Sequence, residues 1–179
     1  MIAARSIRSA RALAIGAVLA ASLAAPAHAL ACGNLHADAN KASIKSVDTA
    51  TVCLLNAARH SRGLPALHLN KRLSLASRRH ARGMAAHHFF DHGDFVARIR
   101  EAHYLRGAQS WVLGENIAWG SDRLGTPQAI VQAWMNSPGH RANILSRSFK
   151  EIGIGVSRGA PMAGVEDGVT YATDFGRRG

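Results

Sequence analysis

The stretch AWMNSPGHRANIL, residues 133–145, determines how the rest of the chain is interpreted. A helix leads into it, because Thr126 supplies a capping hydroxyl and Pro127 suits the first helical position. The proline–glycine pair at 138–139 predicts the end of that helix. His140 is then expected on a loop, where binding and catalytic side chains are often carried. The stretch therefore predicts a helix followed by a candidate functional histidine.

Upstream of this stretch, apolar residues at spacings of three and four predict two helices. Gly63 and Pro65 end the first helix, and Asn70 is a suitable N-cap for the second. The apolar side of the first helix carries Ile44, Val47, Thr51, Leu54 and Ala58. The apolar side of the second carries Leu73, Ala76, His80 and Met84. A third, shorter helix is predicted over residues 95–104.

Downstream of it, two segments rich in β-branched residues, 152–156 and 169–173, are separated by turn residues and predict a hairpin. The segment 114–120 is too short and too bounded by glycine to form a helix. Helices therefore come first and strands late. This order predicts an α+β domain in which helices cover an antiparallel sheet.

The composition is that of one folded domain. The chain has 179 residues, of which 47% are hydrophobic and 18% charged. These values exclude repeat arrays, collagen and wholesale disorder. The formal net charge is +11, which raises anionic lipid, wall polymer or nucleic acid as partners.

Most of the basic residues are scattered, and the densest group lies along the second predicted helix. This group consists of Lys71, Arg72, Arg78, Arg79 and Arg82. No nucleic-acid recognition signature accompanies it, so a solvated helix face is the favoured interpretation. Nucleic acid is therefore not an expected partner, and a nuclease ranks third among the functions considered.

Residues 1–29 differ from the rest and predict a signal peptide. They contain three arginines, an uncharged apolar run over residues 12–25, and a small-x-small site that ends at Ala29. A secreted or periplasmic protein is expected, with no transmembrane segment after cleavage. An uncleaved anchor is the alternative, but the run is shorter than the roughly 20 residues that cross a bilayer. Lipidation of Cys32 is a further alternative that the preceding residues fit poorly.

The two cysteines, Cys32 and Cys53, both follow the predicted leader. An oxidising compartment allows one disulfide between them, which would tie the segment 30–45 to the first helix. The alternative is two free thiols. Neither cysteine has a Cys-x-x-Cys or metal-ligand spacing, which argues against redox catalysis and structural zinc.

Histidine density singles out residues 80–92, which include His80, His87, His88 and His92. Imidazole titrates near neutral pH and binds metals, so acid–base or metal chemistry is one interpretation. His80 lies on an apolar helix face, which favours a hydrogen-bonded core histidine. His88 and His92 have the i, i+4 spacing of a helical chelate, but the helix is expected to unwind between them.

The remaining candidates are Glu115, within a glycine-flanked turn, and His140. The structural alternative for Glu115 is a carboxylate that accepts backbone N–H groups to fix its own loop. The alternative for His140 is a hydrogen bond at a helix end.

Eight segments, taken in order, resemble the CAP superfamily, which comprises cysteine-rich secretory proteins, insect antigen 5 and plant pathogenesis-related proteins. The chain looks most like the single-domain bacterial branch, with an SCP domain over residues 46–179. The segments are Leu54-Leu55-Asn56-x-x-Arg59, Gly63-Leu64-Pro65-x-Leu67-x-x-Asn70-x-x-Leu73, His80-Ala81-x-x-Met84-Ala85, Phe89-Phe90-x-His92, Gly114-Glu115-Asn116-Ile117-Ala118, residues 133–145, Phe149-x-x-Ile152-Gly153-x-Gly155 and Asp174-Phe175-Gly176.

The resemblance implies a three-layer α-β-α sandwich with a central antiparallel sheet, a third strand near residues 116–119, and an open cleft. By motif, His92, Glu115 and His140 would line the cleft, and zinc or another divalent cation is associated with the histidines. The family's second glutamate is missing, since Ser137 stands in its place. Two imidazoles and one carboxylate still suit a hydrolytic zinc site. The alternative is that Glu115 orients an imidazole without touching metal.

Two functions follow as expectations from this resemblance. The first is an exported binding module whose cleft or helical grooves recognise a lipid-like small molecule or an envelope component. The second is a metal-dependent hydrolase, such as a protease, that uses His92, Glu115 and His140. The missing acid at Ser137 leaves no obvious general base, so catalysis is uncertain and the binding module is favoured.

Overall fold

A computed structural model describes residues 32–179. The predicted signal peptide lies outside the described residues. Within them the chain forms five α-helices, one 3₁₀ helix and four strands. In chain order these are α1 Ile44–His60, β1 His68–Leu69, α2 Lys71–His87, α3 Phe95–Glu101, β2 Trp111–Ser121, the 3₁₀ helix Asp122–Gly125, α4 Pro127–Asn136, α5 Pro138–Leu145, β3 Glu151–Arg158 and β4 Gly168–Arg178.

The helix starts follow the local capping signals. The Asn70 side chain accepts from the backbone N–H groups of Arg72 and Leu73, which begins α2 as predicted. The Thr126 hydroxyl accepts from the N–H of Ala129 at the start of α4. These caps satisfy N–H groups that have no partner within the helix.

The segment after α4 differs from the prediction. Helix α4 ends at Asn136 as expected, but Pro138 begins a further helix, α5, where a loop was predicted. The physical reason is that proline suits the first turn of a helix as well as it ends the preceding one. His140 consequently lies in the first turn of α5.

The four strands form one sheet in the order β1-β3-β4-β2. Strand β4 pairs antiparallel with both β3 and β2, which confirms the predicted hairpin. Strand β2 includes residues 116–119, where the family resemblance implied a strand. The two-residue β1 adds a short parallel pairing at the edge beside β3.

Helices cover both faces of the sheet, and β3 shows how the sequence arranges this. Its isoleucines at 152 and 154 belong to the main core cluster, together with residues of α1, α4 and α5. Its alternate positions, Gly153 and Gly155, face α2. A Cβ atom at Gly153 would lie 2.1 Å from a backbone carbon of Leu73, so α2 sits against the bare strand. The predicted α-β-α sandwich is confirmed.

Two long-range connections fix the α1 layer. Cys32 and Cys53 form the expected disulfide, which ties the start of the described chain to α1. Arg59 is fully buried, and its guanidinium donates to the carbonyls of Pro65, Ile144 and Ser146. The end of α1 is thereby joined to the end of α5.

Candidate functional site

The centre of the candidate site is the Glu115 carboxylate, in the buried middle of β2. Only 1% of this side chain is exposed. In the register of the sheet Glu115 lies opposite Asp174 of β4. A carboxylate removed from water in this way needs charged or hydrogen-bonding partners.

Glu115 obtains those partners from the α2–α3 connection and from α3. Its Oε1 lies 2.7 Å from Nδ1 of His92, and its Oε2 accepts from the Arg98 guanidinium at 2.6 Å. Charge-assisted contacts of this kind offset much of the cost of burying a carboxylate. Both Glu115 oxygens are therefore engaged by neighbouring side chains.

His80 supports the same region from within the core. Its Nε2 lies 2.9 Å from the carbonyl oxygen of Asp91 and 3.9 Å from Oε2 of Glu115. Because a carbonyl can only accept, Nε2 carries the proton. Burial lowers the pKa of His80, although the Glu115 charge opposes this. His80 is thus the predicted hydrogen-bonded core histidine, and it holds the loop that carries His92.

His92 presents a half-exposed imidazole on that loop. Helix α2 ends at His87, and His88 adopts a left-handed backbone with φ of 52°. His88 and His92 therefore do not lie on one helix. This agrees with the unwinding that was expected between them. When Nδ1 carries the proton, Glu115 accepts a hydrogen bond from it and fixes the orientation of the ring. Nε2 is then the free nitrogen.

His140 approaches the site from the first turn of α5. Burial lowers its pKa, and the nearby His92 lowers it further. The backbone carbonyl of His140 accepts from the Asn116 side chain at 3.1 Å. His140 therefore lies near His92, which in turn contacts Glu115, whereas His87 and His88 take no part in these contacts.

Asn143 joins α5 to β2. Its side-chain amide donates to the Glu115 carbonyl at 3.1 Å and to the Asn116 side chain at 2.9 Å. Sequence reasoning placed Asn143 in a motif but gave it no role, and it did not identify Arg98 at all. The Arg98 contact depends on where α3 lies against β2, which no local pattern reveals.

Asp174 is a second buried acid beside Glu115. One oxygen accepts from the Ser77 hydroxyl at 2.7 Å, whereas Oδ1 has no hydrogen-bond partner in the part of the chain that the structure describes. Burial, together with the Glu115 charge, raises the pKa of Asp174 to about 8. Near neutral pH this carboxyl is largely protonated, which limits its repulsion of Glu115.

The donor set does not fit the hydrolytic zinc centre of two imidazoles and one carboxylate. Both Glu115 oxygens are occupied, and a guanidinium lies against one of them. Ser137 supplies a hydroxyl where the family places a second acid. Across residues 32–179, no three His, Cys, Asp or Glu side chains are grouped so that they could hold a metal ion. Metal binding stays a prediction, with two imidazoles as its available donors.

A concave surface lined by other residues lies between α1 and α2. It encloses about 510 Å³ and has apolar walls formed by Ile44, Val52, Leu69 and Ile154. Asp48 and Arg78 face each other there at 3.2 Å. The apolar walls of this groove suit an apolar ligand.

With the geometry established, comparison with known proteins identifies the family. A family model described as the cysteine-rich secretory protein family, CAP, matches residues 52–165, more than half of the chain. The chain belongs to the CAP family. This confirms the resemblance carried by the eight sequence segments.

Two Bacillus subtilis proteins are similar to this chain in sequence. The uncharacterized protein YkwD is 36% identical over 114 residues, which are 63% of this chain and 43% of YkwD. The uncharacterized membrane protein YlbC is 30% identical over 110 residues, which are 59% of this chain and 30% of YlbC. The matched region thus spans less than half the length of either relative.

Solved structures share the CAP fold. An extracellular SCP-domain protein from Bacillus anthracis aligns with a TM-score of 0.58 at 24% identity, covering 75% of this chain and 43% of its own. An outer surface protein from Borrelia burgdorferi aligns with a TM-score of 0.58 at 20% identity, covering 72% and 90%. Within residues 32–179, no helix has the length and apolar character needed to cross a membrane.

Proposed function

We propose that this CAP-family protein is an exported binding module whose cleft, formed around His92 and His140, recognises a polar component of the cell envelope. The predicted leader and the extracellular or surface location named for its structural relatives support the exported location. The observation that carries the binding role is the engagement of both Glu115 oxygens.

Glu115 acts in this proposal as a positioning group. A general base needs a free oxygen within reach of the proton that it removes. Here Oε1 meets His92 and Oε2 meets Arg98, in a side chain with 1% exposure. The carboxylate therefore fixes the His92 ring, and the half-exposed His92 imidazole, together with the partly buried His140, offers hydrogen bonds to a ligand.

Titration of the purified protein with soluble peptidoglycan fragments tests this role. We expect saturable binding that shifts the side-chain NMR resonances of His92 and His140. His140→Ala should weaken binding about tenfold, since one hydrogen bond contributes about 1 kcal/mol or more. His103→Ala is the matched control away from the cleft. Equal binding by both variants, or no binding, would contradict the proposal.

The lipid-like ligand belongs to the groove between α1 and α2. A monomeric lysophospholipid is the probe, and Leu69→Asp is the variant, because Leu69 is 59% exposed and lines this groove. We expect Leu69→Asp to lose lysophospholipid binding while peptidoglycan-fragment binding persists. Loss of both ligands in this variant would show that the two surfaces are not separate sites.

The hydrolase alternative makes a different prediction, which zinc calorimetry tests. With both Glu115 oxygens engaged, we expect no stoichiometric zinc site in the protein. His92→Ala separates the cleft from adventitious binding, and His87→Ala is the control. A single zinc site that disappears only in His92→Ala would restore the metal-dependent hydrolase as the leading function.

A further inference from the structure

On the side of α2 that faces solvent, every charged side chain is basic. The helix contains no Asp or Glu, and its apolar side is buried in the domain. We call the exposed side the basic face. It consists of Lys71, Arg72, Leu75, Arg78, Arg79, Arg82 and Ala86.

Three cations of the basic face have no acidic partner among residues 32–179. Arg78 pairs with Asp48 at 3.2 Å, and Arg72 donates to the His103 carbonyl. Among the ion pairs of residues 32–179, none involves Lys71, Arg79 or Arg82. Lys71 and Arg82 are 11 positions apart, or about 16 Å along the helix axis. The free charges thus extend along a line that a flat anionic surface can meet.

Two exposed aromatic rings follow the C-terminal end of this helix. Phe89 is 40% exposed and Phe90 47% exposed. The Phe89 ring lies 6.0 Å from the His80 ring, which places it against the end of α2. Leu75, within the basic face, is 40% exposed. Large apolar side chains beside unpaired cations are typical of surfaces that bind at a membrane interface.

We infer that the basic face of α2, together with Phe89 and Phe90, docks the protein onto an anionic phospholipid surface. Lysine and arginine side chains near such a surface are attracted to its negative charge. A soluble polyanion would satisfy the same charges but leave the phenyl rings in water. The exposed rings therefore favour a lipid bilayer over a wall polymer or nucleic acid.

The acidic residues near the rings do not neutralise this surface. Asp91 accepts the backbone N–H of Gly93, and Asp94 caps α3 by accepting from Ala97. These hydrogen bonds leave both carboxylates charged, but two acidic charges do not cancel the five basic charges of α2. His92 is two positions beyond Phe90, so docking would bring the cleft close to the lipid headgroups. The inference does not depend on the proposed ligand of that cleft.

Sedimentation with phosphatidylcholine vesicles, with and without phosphatidylglycerol, tests the inference. We expect binding only to the vesicles that contain phosphatidylglycerol. Arg79→Glu combined with Arg82→Glu should lower the affinity at least about tenfold, because two attractive charges become repulsive. Arg62→Glu combined with Arg147→Glu changes the net charge equally on exposed residues outside α2, and should keep most of the binding.

Phe90→Ser separates a membrane from a soluble polyanion. We expect this variant to weaken vesicle binding even at high salt, where surface charges are screened. Polyphosphate that binds as tightly as the vesicles, with no effect of Phe90→Ser, would replace membrane docking with a polyanion site. No binding to phosphatidylglycerol, or equal losses in the two charge-reversal pairs, would overturn the inference.

Circular dichroism establishes that each variant is folded before binding is compared. His140→Ala distinguishes this inference from the proposed function. It should leave vesicle binding unchanged while peptidoglycan-fragment binding falls.

Discussion

Glu115 shows how single side chains set the chemistry of the cleft. Its buried carboxylate depends on the Arg98 guanidinium and the His92 ring. The family resemblance named His92, Glu115 and His140 as cleft residues, and in the structure the first two contact each other at 2.7 Å. Sequence reasoning missed Arg98, since an arginine on a short helix gives no sign of a partner 17 positions away.

Removal of the Arg98 charge tests this dependence. We expect Arg98→Met to lower the free energy of unfolding by about 3 kcal/mol, because a buried carboxylate loses its cationic partner. Urea denaturation measures the change. Adding Glu115→Gln should recover part of it, since the uncompensated charge is then absent. Arg100→Met, an exposed neighbour on α3, should have little effect, and an equal loss there would refute the explanation.

Asp174 predicts a pH-dependent stability. Its folded pKa of about 8 lies above that of an unfolded aspartate, so the folded state binds the proton more tightly. The stabilisation is complete at low pH and is lost as the pH rises toward 8. Each pH unit in which only the folded state keeps the proton costs about 1.4 kcal/mol.

Thermal melts of Asp174→Asn measure this contribution. Because the amide cannot ionise, we expect the variant to lose less stability than the parent between pH 5 and 8, with a difference of about 4 kcal/mol. Asp167→Asn, at an exposed acid, should retain the parental pH dependence. Parallel pH profiles for Asp174→Asn and the parent would show that Asp174 is ionised at neutral pH.

The elements show where sequence patterns suffice and where they do not. Asn70 and Thr126 begin their helices through local capping, so both starts could be predicted. The prediction of a loop after α4 was wrong, because Pro138 follows the end of one helix and begins the next. Strand β1 has two residues, too few to produce a periodic pattern. The contact between α2 and β3 depends on glycines in β3, because a side chain there would clash with the backbone of α2. This requirement is visible only in the packed structure.

The glycines of β3 give the prediction at this scale. A Cβ atom at Gly155 would lie 2.3 Å from backbone atoms of α2 at Ser77 and Arg78. Because a helix backbone cannot yield locally, we expect Gly155→Ala to destabilise the protein by about 3 kcal/mol. Gly139→Ala is the control, since a Cβ atom at Gly139 would meet nothing within 4 Å. Similar melting temperatures for both variants would contradict this packing argument.

At the scale of the whole molecule, the disulfide and the sheet order join distant parts of the chain. Composition and segment order were enough to predict one α+β domain. The strand order β1-β3-β4-β2 came from the structure, because pairing between distant strands leaves no local trace. Arg59 is similar, since its carbonyl partners at Ile144 and Ser146 are 85 and 87 positions away.

Reduction of the Cys32–Cys53 bridge tests the contribution of the N-terminal segment. The bridge spans 21 positions, and a loop of this size contributes about 3 kcal/mol in the chain-entropy description. We expect dithiothreitol to lower the melting temperature of the protein. It should have no effect on a Cys32→Ser, Cys53→Ser double variant. If full reduction leaves the melting temperature of the parent protein unchanged, the bridged segment adds no stability.

The position of β4 has a consequence for how the protein reaches its folded state. Strands β2 and β3 both pair with β4 and not with each other, yet β4 is the last strand in the sequence. In a chain that emerges from its N-terminus, β2 therefore has no partner strand, and β3 has only the two residues of β1, until residues 168–178 follow. The four-stranded sheet can therefore be completed only after the last strand has been synthesised.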